Sequence, residues 1–443
     1  MKALIETATK RTERVFLVGL EFKSRTTGQL RDSLQELGEL AATAGADVIG
    51  NGIQKLEAPV AGTFIGRGKA QEFATHCHRH EVDTVIFDDE LSPAQSRNLE
   101  KVFECKVLDR TALILDIFAR RARTREGKLQ VELAQLQHLL PRLTRFWGHL
   151  SRQKGGIGMR GDGEMQLETD RRRVQDRIAR ISEELNVVRR QRATQRQGRQ
   201  RSLWPLASIV GYTNAGKSTL LNTVTGAASL AEDKLFATLD PMTRRLRLPT
   251  NQNVLVTDTV GFLRKLPHDL IAAFKATLEE VVQADLLVHV VDLSHPQAEE
   301  QILAVNSVLE EIGADGKPTL MVFNKTDRFG TEVLLRRFQD RFPNTVGVSA
   351  KTGDGIPELL AELSSLLRPT RELVELSVPH EASAVIARLH SMAQVVECNY
   401  NGDTARFKAR IPPHLRREFA PFIAPEANGY TNDNGESGST PLA

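Results

Sequence analysis

The stretch GYTNAGKS at residues 211–218 decides how the chain around it folds. It has the pattern GxxxxGKS, follows the apolar run LASIVG (206–211) and precedes TLLNTVTG (219–226), which has helical character. Between a strand and a helix, such a loop turns backbone amides and a lysine towards phosphate groups and offers a serine hydroxyl to Mg²⁺. The stretch therefore predicts a phosphate-binding loop, with an unliganded glycine-rich turn as the alternative.

Apolar runs of strand length continue beyond this loop, and each is followed by a helical stretch. They are NVLVTD (253–258), DLLVHVVD (285–292), TLMVFN (319–324) and TVGVS (345–349). Strands that alternate with helices form a mostly parallel sheet with helices on both faces. We therefore predict a doubly wound α/β domain over residues 203–368.

Three short motifs lie at the carboxyl ends of these predicted strands, where ligands of such sheets bind. DTVG (258–261) offers a carboxylate to a magnesium-bound water and an amide to a γ-phosphate. In NKTD (324–327), Asp327 can accept two hydrogen bonds from the guanine edge, whereas adenine would leave the carboxylate unpaired. SAK (349–351) completes the base pocket with backbone amides. Together with GxxxxGKS, these motifs predict a guanine nucleotide site.

Two further α/β units flank this domain in the sequence. Residues 1–120 contain the strand-length apolar runs VFLVGL (15–20) and TVIFDD (84–89), separated by helical patterns. This alternation predicts a small domain with a mostly parallel sheet. Residues 369–425 are predicted to form a small C-terminal α/β domain, and the polar residues 426–443 predict a disordered tail.

Residues 121–202 combine a helical period with a strong positive charge. From residue 120 to residue 201 there are 21 Lys and Arg residues against 9 Asp and Glu residues, although the whole chain has a net charge of only +3. Apolar residues repeat every three or four positions on both sides of the glycine-rich KGGIGMRGDGE (154–164). We predict an antiparallel helical hairpin with a glycine-rich tip and a kink or break at Pro141. The charge alone is equally typical of an element that binds a polyanion and of a solvated arginine-rich helix face. The two repeats are Leu129, Leu133, Leu136, Leu140, Leu143, Trp147 and Leu150, and Val174, Ile178, Ile181, Leu185 and Val188.

Together these motifs resemble those of one known family. FATLD (236–240), DTVGF (258–262), NKTD and RQKGGIGMRGDGEMQLETDRR (152–172) are similar to segments of the HflX family of ribosome-associated GTPases, over about residues 10–410. The resemblance implies an N-terminal α/β subdomain, a helical hairpin, a GTPase domain and a small C-terminal domain. It implies GTP and GDP as ligands, Mg²⁺ as cofactor, and the large ribosomal subunit with its rRNA as partner. It also implies that FATLD is the first switch, so that Thr238 joins Ser218 as a protein ligand of Mg²⁺.

The resulting candidate site residues fall into three groups. The expected catalytic residues are Lys217, Thr238 and Gly261. For RNA contacts we expect Arg152, Lys154, Arg160, Arg171, Arg172 and Arg173. The expected GTP-binding residues are Gly211, Tyr212, Thr213, Asn214, Ala215, Gly216, Lys217, Ser218, Thr219, Phe236, Ala237, Thr238, Leu239, Asp240, Asp258, Thr259, Val260, Gly261, Asn324, Lys325, Thr326, Asp327, Ser349, Ala350 and Lys351.

Two positions depart from related patterns. The glycine-rich string of the family usually reads GPGE, whereas here Asp162 replaces the proline, which alters the stiffness of the tip and its attraction for RNA. Phe262 follows DTVG at the position where Ras-like GTPases have a glutamine that orients the attacking water. Because a phenylalanine cannot orient water, we expect slow intrinsic hydrolysis that a partner accelerates, and an inward-packed Phe262 side chain.

Weaker patterns have simpler interpretations. GRGK (66–69) opens a helical run; it fits a second, ATP-binding site, but we favour a turn at a helix start. HCHRH (76–80) places adjacent side chains on different sides of a helix, so a solvated helix end is favoured over a metal cluster. Three cysteines, Cys77, Cys105 and Cys398, are too few for a disulfide framework or a CxxC site and fit a reducing compartment.

The expected function is that of a cytoplasmic, monomeric GTPase. By resemblance it binds the large ribosomal subunit and separates or rescues idle or stalled ribosomes, particularly under stress. No apolar run approaches the roughly 20 residues that span a bilayer, so any membrane association is expected to be peripheral. One alternative is a nucleotide-gated regulator of another protein. In the other, the basic hairpin anchors to a membrane surface, which its scarcity of aliphatic surface disfavours.

Overall fold

The structure is a computed structural model, and it describes residues 12–22, 27–143, 162–200, 204–226, 235–236, 238–265, 275–328, 330–367, 372–411 and 416–424. The chain forms two compact units, one of residues 1–246 and 254–366 and the other of residues 247–253 and 367–443. The mixed α/β architecture that the sequence predicts is confirmed. Among the described residues, none of the helices combines the length and apolar character that crossing a bilayer requires.

The N-terminal part of the first unit is a parallel sheet with helices packed against it. Its strands are β1 (Arg14–Glu21), β2 (Asp47–Lys55), β3 (Thr84–Phe87) and β4 (Lys106–Asp109), in the order β2-β1-β3-β4. Its helices are α1 (Thr27–Thr43), α2 (Arg67–Arg79), α3 (Pro93–Phe103) and α4 (Arg110–Arg121). Helix α3 begins at a capping box, because Gln95 N donates to the Ser92 hydroxyl at 3.2 Å and Ser92 N donates to Gln95 Oε1 at 3.0 Å. The predicted parallel sheet is confirmed.

Two helices of the basic segment pack against each other. They are α5 (Arg125–Leu139) and α6 (Asp162–Gln200). The ion pairs Arg125–Glu184 at 3.0 Å and Glu132–Arg177 at 2.7 Å show that the helices run in opposite directions. The residues buried between them are Leu129, Ile181 and Leu185, all from the predicted repeats.

The first of these helices is shorter, and the glycine-rich tip ends earlier, than the sequence predicts. Helix α5 ends at Leu139 and a 3₁₀ turn follows, because Pro141 has no N–H for a further helical hydrogen bond. The predicted break at Pro141 is confirmed, but the first repeat does not lie on one helix. Asp162, Gly163 and Glu164 were predicted in the tip and lie instead in α6. Trp147 and Leu150 of the first repeat, and residues 154–161 of the predicted tip, lie outside the described residues.

The remainder of the first unit is built on a larger sheet. Its strands are β5 (Leu206–Gly211), β6 (Met242–Arg247), β7 (Asn253–Asp258), β8 (Leu286–Asp292), β9 (Thr319–Asn324) and β10 (Thr345–Gly347), in the order β10-β9-β8-β5-β7-β6. Its helices are α7 (Lys217–Thr225), α8 (Lys275–Val282), α9 (Ala298–Glu311), α10 (Thr331–Arg341) and α11 (Ile356–Leu366). Strands β5, β7, β8, β9 and β10 pair in parallel, so the carboxyl ends that carry the motifs share one edge. Strand β6 was not predicted, because its sequence MTRRLR has little apolar character.

The second unit contains a small antiparallel sheet. Its strands are β11 (Glu372–Pro379), β12 (Gln394–Asn401) and β13 (Thr404–Ile411), in the order β11-β13-β12. Its helices are α12 (Ser383–Met392) and α13 (Arg416–Phe419). Alternate residues of β13 are buried in the core of this unit, which is the pattern of a sheet with one covered face. The predicted tail, residues 426–443, lies outside the described residues.

Within the first unit, one apolar cluster extends from the N-terminal sheet to the nucleotide-motif sheet. It includes Val15 of β1, Phe118 of α4, Val210 of β5 and Phe236. The rings of Phe118 and Phe236 meet edge to face with their centroids 4.6 Å apart. A shared core of this kind holds the FATLD segment against helix α4.

Candidate nucleotide-binding site

The phosphate loop lies where strand β5 ends and helix α7 begins. Gly216 is the N-cap residue of α7 and has a φ of +93°, which glycine adopts at low cost. Lys217 is buried, and its Nζ donates to Tyr212 O at 2.7 Å. Burial lowers the pKa of Lys217 to about 8, although the carboxylate of Asp258 acts in the opposite direction. A buried ammonium group at a helix N-terminus is suited to an anionic ligand.

Two hydroxyls and a carboxylate meet beside this lysine. The Ser218 hydroxyl donates to Asp258 Oδ2 at 2.6 Å, the Thr238 hydroxyl donates to the same oxygen at 2.9 Å, and the two hydroxyl oxygens are 2.8 Å apart. Asp258 is 1 % exposed, and burial raises the pKa of its carboxyl group. Its Oδ1 atom is buried without a hydrogen-bond partner among the described residues. A buried oxygen of this kind usually has a partner, and here a cation or its water would supply one.

The DTVGF segment passes close to the lysine. A Cβ atom on Gly261 would lie 2.8 Å from Thr213 Cγ2 and 3.0 Å from Lys217 Nζ, so only glycine fits without displacing the loop. Phe262 is 2 % exposed, its N donates to Gly211 O at 3.1 Å, and its O accepts from Thr213 N at 2.8 Å. The prediction that Phe262 packs inwards is confirmed.

The NKTD and SAK motifs meet at the other end of the site. Asn324 is buried; its Nδ2 donates to Ala215 O at 2.8 Å and its Oδ1 accepts from Ala350 N at 2.9 Å. Asn324 therefore joins the phosphate loop to the SAK loop. Asp327 is exposed and accepts a hydrogen bond from the Ser349 hydroxyl at 2.8 Å, which lowers the pKa of its carboxyl group. The carboxylate thus stays ionised and is available to a base.

A cavity of about 490 Å³ connects these groups. Residues from all the predicted motifs line it, and Arg328 lines it although the sequence analysis omitted it; its only signal was its position directly after NKTD. The lining residues are Thr213, Asn214, Gly216, Lys217, Ser218, Thr219, Phe236, Thr238, Thr259, Gly261, Asn324, Lys325, Asp327, Arg328, Ala350 and Lys351.

Other predicted GTP-binding residues do not line this cavity. Tyr212 directs its hydroxyl to Glu36 of α1, at 2.8 Å. Asp240 accepts hydrogen bonds from the backbone at the start of α5 and thus points away from the cavity. Asp258 lies beside the cavity and accepts hydrogen bonds from the hydroxyls of Ser218 and Thr238, and Ala237 lies outside the described residues. Besides Tyr212 and Asp240, the non-lining residues are Gly211, Ala215, Leu239, Asp258, Val260, Thr326 and Ser349.

The predicted RNA-binding residues lie in and before helix α6. Arg171, Arg172 and Arg173 are exposed, and Arg173 pairs within its own helix with Asp170 at 3.5 Å. Arg152, Lys154 and Arg160 lie outside the described residues. The described arginines are therefore accessible to a partner.

The two weaker sequence patterns, GRGK and HCHRH, lie at the two ends of helix α2. Gly66 is the N-cap residue of α2, and its N donates to Gln54 Oε1 at 2.9 Å, so the protein itself uses this amide of GRGK. In HCHRH, Cys77 is buried while His76 and His78 are exposed. No group of three His, Cys, Asp or Glu residues suited to a metal occurs in the part of the chain that the structure describes.

Comparison with known proteins gives the family. A family model described as 50S ribosome-binding GTPase matches residues 207–325, and models described as GTP-binding GTPase N-terminal and GTP-binding GTPase middle region match residues 31–119 and 121–199. The GTPase HflX of Lacrimispora saccharolytica is 47% identical over 406 residues, 91% of this chain and 94% of that protein. The GTPase HflX of Escherichia coli is 48% identical over 384 residues, 86% of this chain and 89% of that protein. The chain belongs to the HflX family.

As an HflX GTPase, the chain binds GTP and hydrolyses it to GDP and phosphate. Among solved structures, the complex of SsGBP with GDP has 24% sequence identity and a TM-score of 0.46, and covers 80% of this chain and 98% of that one. A GTP-binding protein from Sulfolobus solfataricus in complex with GDP has 24% identity, the same coverage and a TM-score of 0.42. These two likenesses are too low to add to the assignment, which depends on the HflX relatives.

Proposed function

We propose that this HflX GTPase depends on Mg²⁺, binds the large ribosomal subunit and its rRNA, and separates or rescues idle or stalled ribosomes, particularly in stressed cells. In this proposal residues 203–368 form the GTPase domain, residues 121–202 form the RNA-directed helical hairpin, and residues 1–120 and 369–425 are accessory domains. The protein acts in the cytoplasm, where its ribosomal partner lies.

The cavity holds the nucleotide in this proposal. The amides at the start of α7 and the ammonium of Lys217 bind the β- and γ-phosphates, because the residues at this helix N-terminus line the cavity. Asp327 accepts hydrogen bonds from the guanine edge at the opposite end. Asn324 holds the phosphate loop and the SAK loop together through its hydrogen bonds with Ala215 and Ala350.

The cluster of Ser218, Thr238 and Asp258 is the observation that carries the proposal. Hydroxyl oxygens of the first two would hold Mg²⁺, and the buried Asp258 carboxylate would accept from a water on the ion. The orphaned Asp258 Oδ1 and the convergence of both hydroxyls on Asp258 fit this donor set. When bound, the ion would neutralise charge on the phosphate oxygens during hydrolysis.

The chain's own groups supply the rest of the chemistry. Lys217 stabilises the charge that develops between the β- and γ-phosphates, and the amide of Gly261 donates to the γ-phosphate. Thr238 fixes the first switch over the phosphates. Since Phe262 is retracted into the core, its side chain does not position the attacking water.

Sedimentation with purified ribosomes tests the ribosomal part of the proposal. The wild-type protein in a non-hydrolysable GTP analogue should pellet with 50S subunits, and the amount should fall when GDP replaces the analogue. The same experiment with 30S subunits is the control and should retain little protein. If neither nucleotide state pellets with ribosomes while GTP is still hydrolysed, the chain is instead a nucleotide-gated regulator of another protein.

A further inference from the structure

Asp240, the last residue of FATLD, joins the first switch to the start of helix α5. Its Oδ2 accepts hydrogen bonds from Arg123 N and Thr124 N, both at 2.9 Å, and its Oδ1 accepts one from the Thr124 hydroxyl. Thr124 is the N-cap residue of α5 and its hydroxyl oxygen accepts from Gly127 N at 3.0 Å. A carboxylate at a helix N-terminus is also favoured by the helix dipole.

The candidate magnesium ligand Thr238 lies between residues that are held in place on both sides. On one side Phe236 is buried and packs edge to face on Phe118 of α4. On the other side Leu239 is buried and Asp240 is bonded to the start of α5. The position of Thr238 therefore depends on contacts with α4 and α5 as well as on the cavity.

Gly127 gives independent support for a close contact between the switch and this helix. A Cβ atom on Gly127 would lie 2.4 Å from Asp240 Oδ1, which is too close for any real pair of these atoms. Gly127 is a residue of helix α5, and glycine is normally less favourable than alanine in a helix. The sequence thus carries a helix-weakening residue at the place where the Asp240 carboxylate fits.

We infer that Asp240 is a positioning residue for Thr238, and that the contact of Asp240 with Thr124 links Mg²⁺ binding at the nucleotide to the start of the helix pair. This inference rests on the proposed magnesium site. Thr238 reaches the ion best when Asp240 is bonded to α5, and by linkage a bound Mg²⁺ nucleotide strengthens the bond between Asp240 and α5. The helix pair that carries Arg171 to Arg173 therefore senses the state of the nucleotide site.

The test measures how much Mg²⁺ improves the affinity for a non-hydrolysable GTP analogue, as the ratio of Kd in EDTA to Kd in excess Mg²⁺. Asp240→Ala should lower this ratio at least about fivefold, the low end of typical couplings between linked sites. Gly127→Ala should lower it too, because the new methyl group displaces the carboxylate. If the contact of Asp240 with α5 were purely structural, Gly127→Ala would lower the melting temperature through the same clash but leave the ratio unchanged.

Ser92→Ala is the matched control. It removes a helix cap of the same kind at α3, away from the first switch, and should lower the melting temperature while leaving the ratio unchanged. The double variant Gly127→Ala, Asp240→Ala should be no worse than Asp240→Ala alone, because both changes break the same contact. Amide hydrogen exchange provides a second readout: the Mg²⁺–analogue complex should slow exchange at Arg123 and Thr124 in the wild type but not in Asp240→Ala.

Three results would overturn the inference. The ratio for Asp240→Ala stays within twofold of the wild type, or Ser92→Ala lowers the ratio as much as Asp240→Ala does, or exchange at Arg123 and Thr124 is equally slowed in Asp240→Ala. In all three cases the wild-type ratio is still well above one, so the proposed magnesium site stands. A wild-type ratio near one would instead mean that the proposed magnesium site itself is wrong, and the inference with it.

Discussion

Lys217 lies at the buried end of the cavity, where its charge is opposed by desolvation. Its pKa is lowered to about 8 by burial, with Asp258 acting in the opposite direction. Phosphate groups would raise this pKa again on binding, because they stabilise the ammonium form. Below about pH 8 the lysine is already charged, so its titration should not make nucleotide affinity depend on pH. Above that value, binding must take up a proton and weakens as the pH rises.

The expected result is a loss of GDP affinity of about tenfold between pH 7 and pH 9. Titration of a fluorescent GDP analogue across this range measures the effect. Lys217→Ala is the control, because it keeps every other titrating group, of protein and nucleotide alike, and should bind weakly with a flatter pH profile. Parallel profiles for the two proteins would contradict the assignment of this pKa to the phosphate site.

Asp327 is exposed, ionised and held by the Ser349 hydroxyl, which are the properties that a reader of the guanine edge needs. Asp327→Asn replaces an acceptor by a donor, so GTP affinity should fall about a hundredfold, the scale of losing two hydrogen bonds to a charged group. Affinity for XTP should rise, since the xanthine edge accepts a hydrogen bond where guanine donates one. Competition binding with GTP and XTP measures both changes.

Asp315→Asn provides the comparison for this experiment, because it makes the same substitution at an exposed carboxylate on the loop after α9. It should leave the preference for GTP unchanged. If Asp327→Asn still prefers GTP strongly over XTP, the base is read elsewhere in the cavity.

At the scale of elements, helix α6 presents three consecutive arginines to solvent. Replacing Arg171, Arg172 and Arg173 by Ala should weaken binding to 50S subunits and reduce the slope of log affinity against log salt by up to about 3, roughly one for each lost phosphate contact. GTP affinity of the free protein should stay unchanged, because these side chains are remote from the cavity lining. Sedimentation at several salt concentrations gives the slope.

A second triple variant controls for the loss of charge alone. Replacing Arg336, Arg337 and Arg341 of α10 by Ala removes the same charge from another exposed helix face. It should leave the salt slope closer to that of the wild type. If the α6 variant binds 50S subunits with the affinity and the salt slope of the wild type, the three arginines form only a solvated helix face and do not contact RNA.

Sequence patterns predicted the helices and strands that depend mainly on residues close together in the sequence. Strands β7 and β9 have the bounds of their apolar runs, because the hydrophobic pattern is a property of neighbouring residues. The motif order likewise placed most of the cavity lining. Strand β6 was missed because its sequence has little apolar character, and its pairing with the neighbouring strand β7 makes it a strand. The direction of Asp240 was missed for a different reason: its partners, Arg123 and Thr124, are more than 100 residues away in the sequence.

At the scale of the first unit, N-terminal elements are also linked by hydrogen bonds to Arg264 and Lys265, which follow DTVGF. Arg264 N donates to the Tyr212 hydroxyl at 2.9 Å, and that hydroxyl donates to Glu36 of α1 at 2.8 Å. Lys265 Nζ donates to Asp88 Oδ2 at 2.7 Å, just after β3. The segment that follows Phe262 is therefore tied to α1 and β3. A partner that moves the N-terminal elements would also move this segment.

Phe262 leaves the isolated protein without a side chain that can position the attacking water, because its ring is buried and its backbone is bonded to Gly211 and Thr213. Ribosomes should therefore raise the GTP turnover number about tenfold or more, the effect of supplying a missing catalytic group or ordering the switches. Phosphate release at saturating GTP, with and without 50S subunits, measures this. Ser218→Ala should abolish turnover under both conditions, which assigns the measured activity to this site. Turnover by the isolated protein that saturating ribosomes do not raise would mean that another group of the chain already positions the water, and the DTVGF segment would then not need a partner to become active.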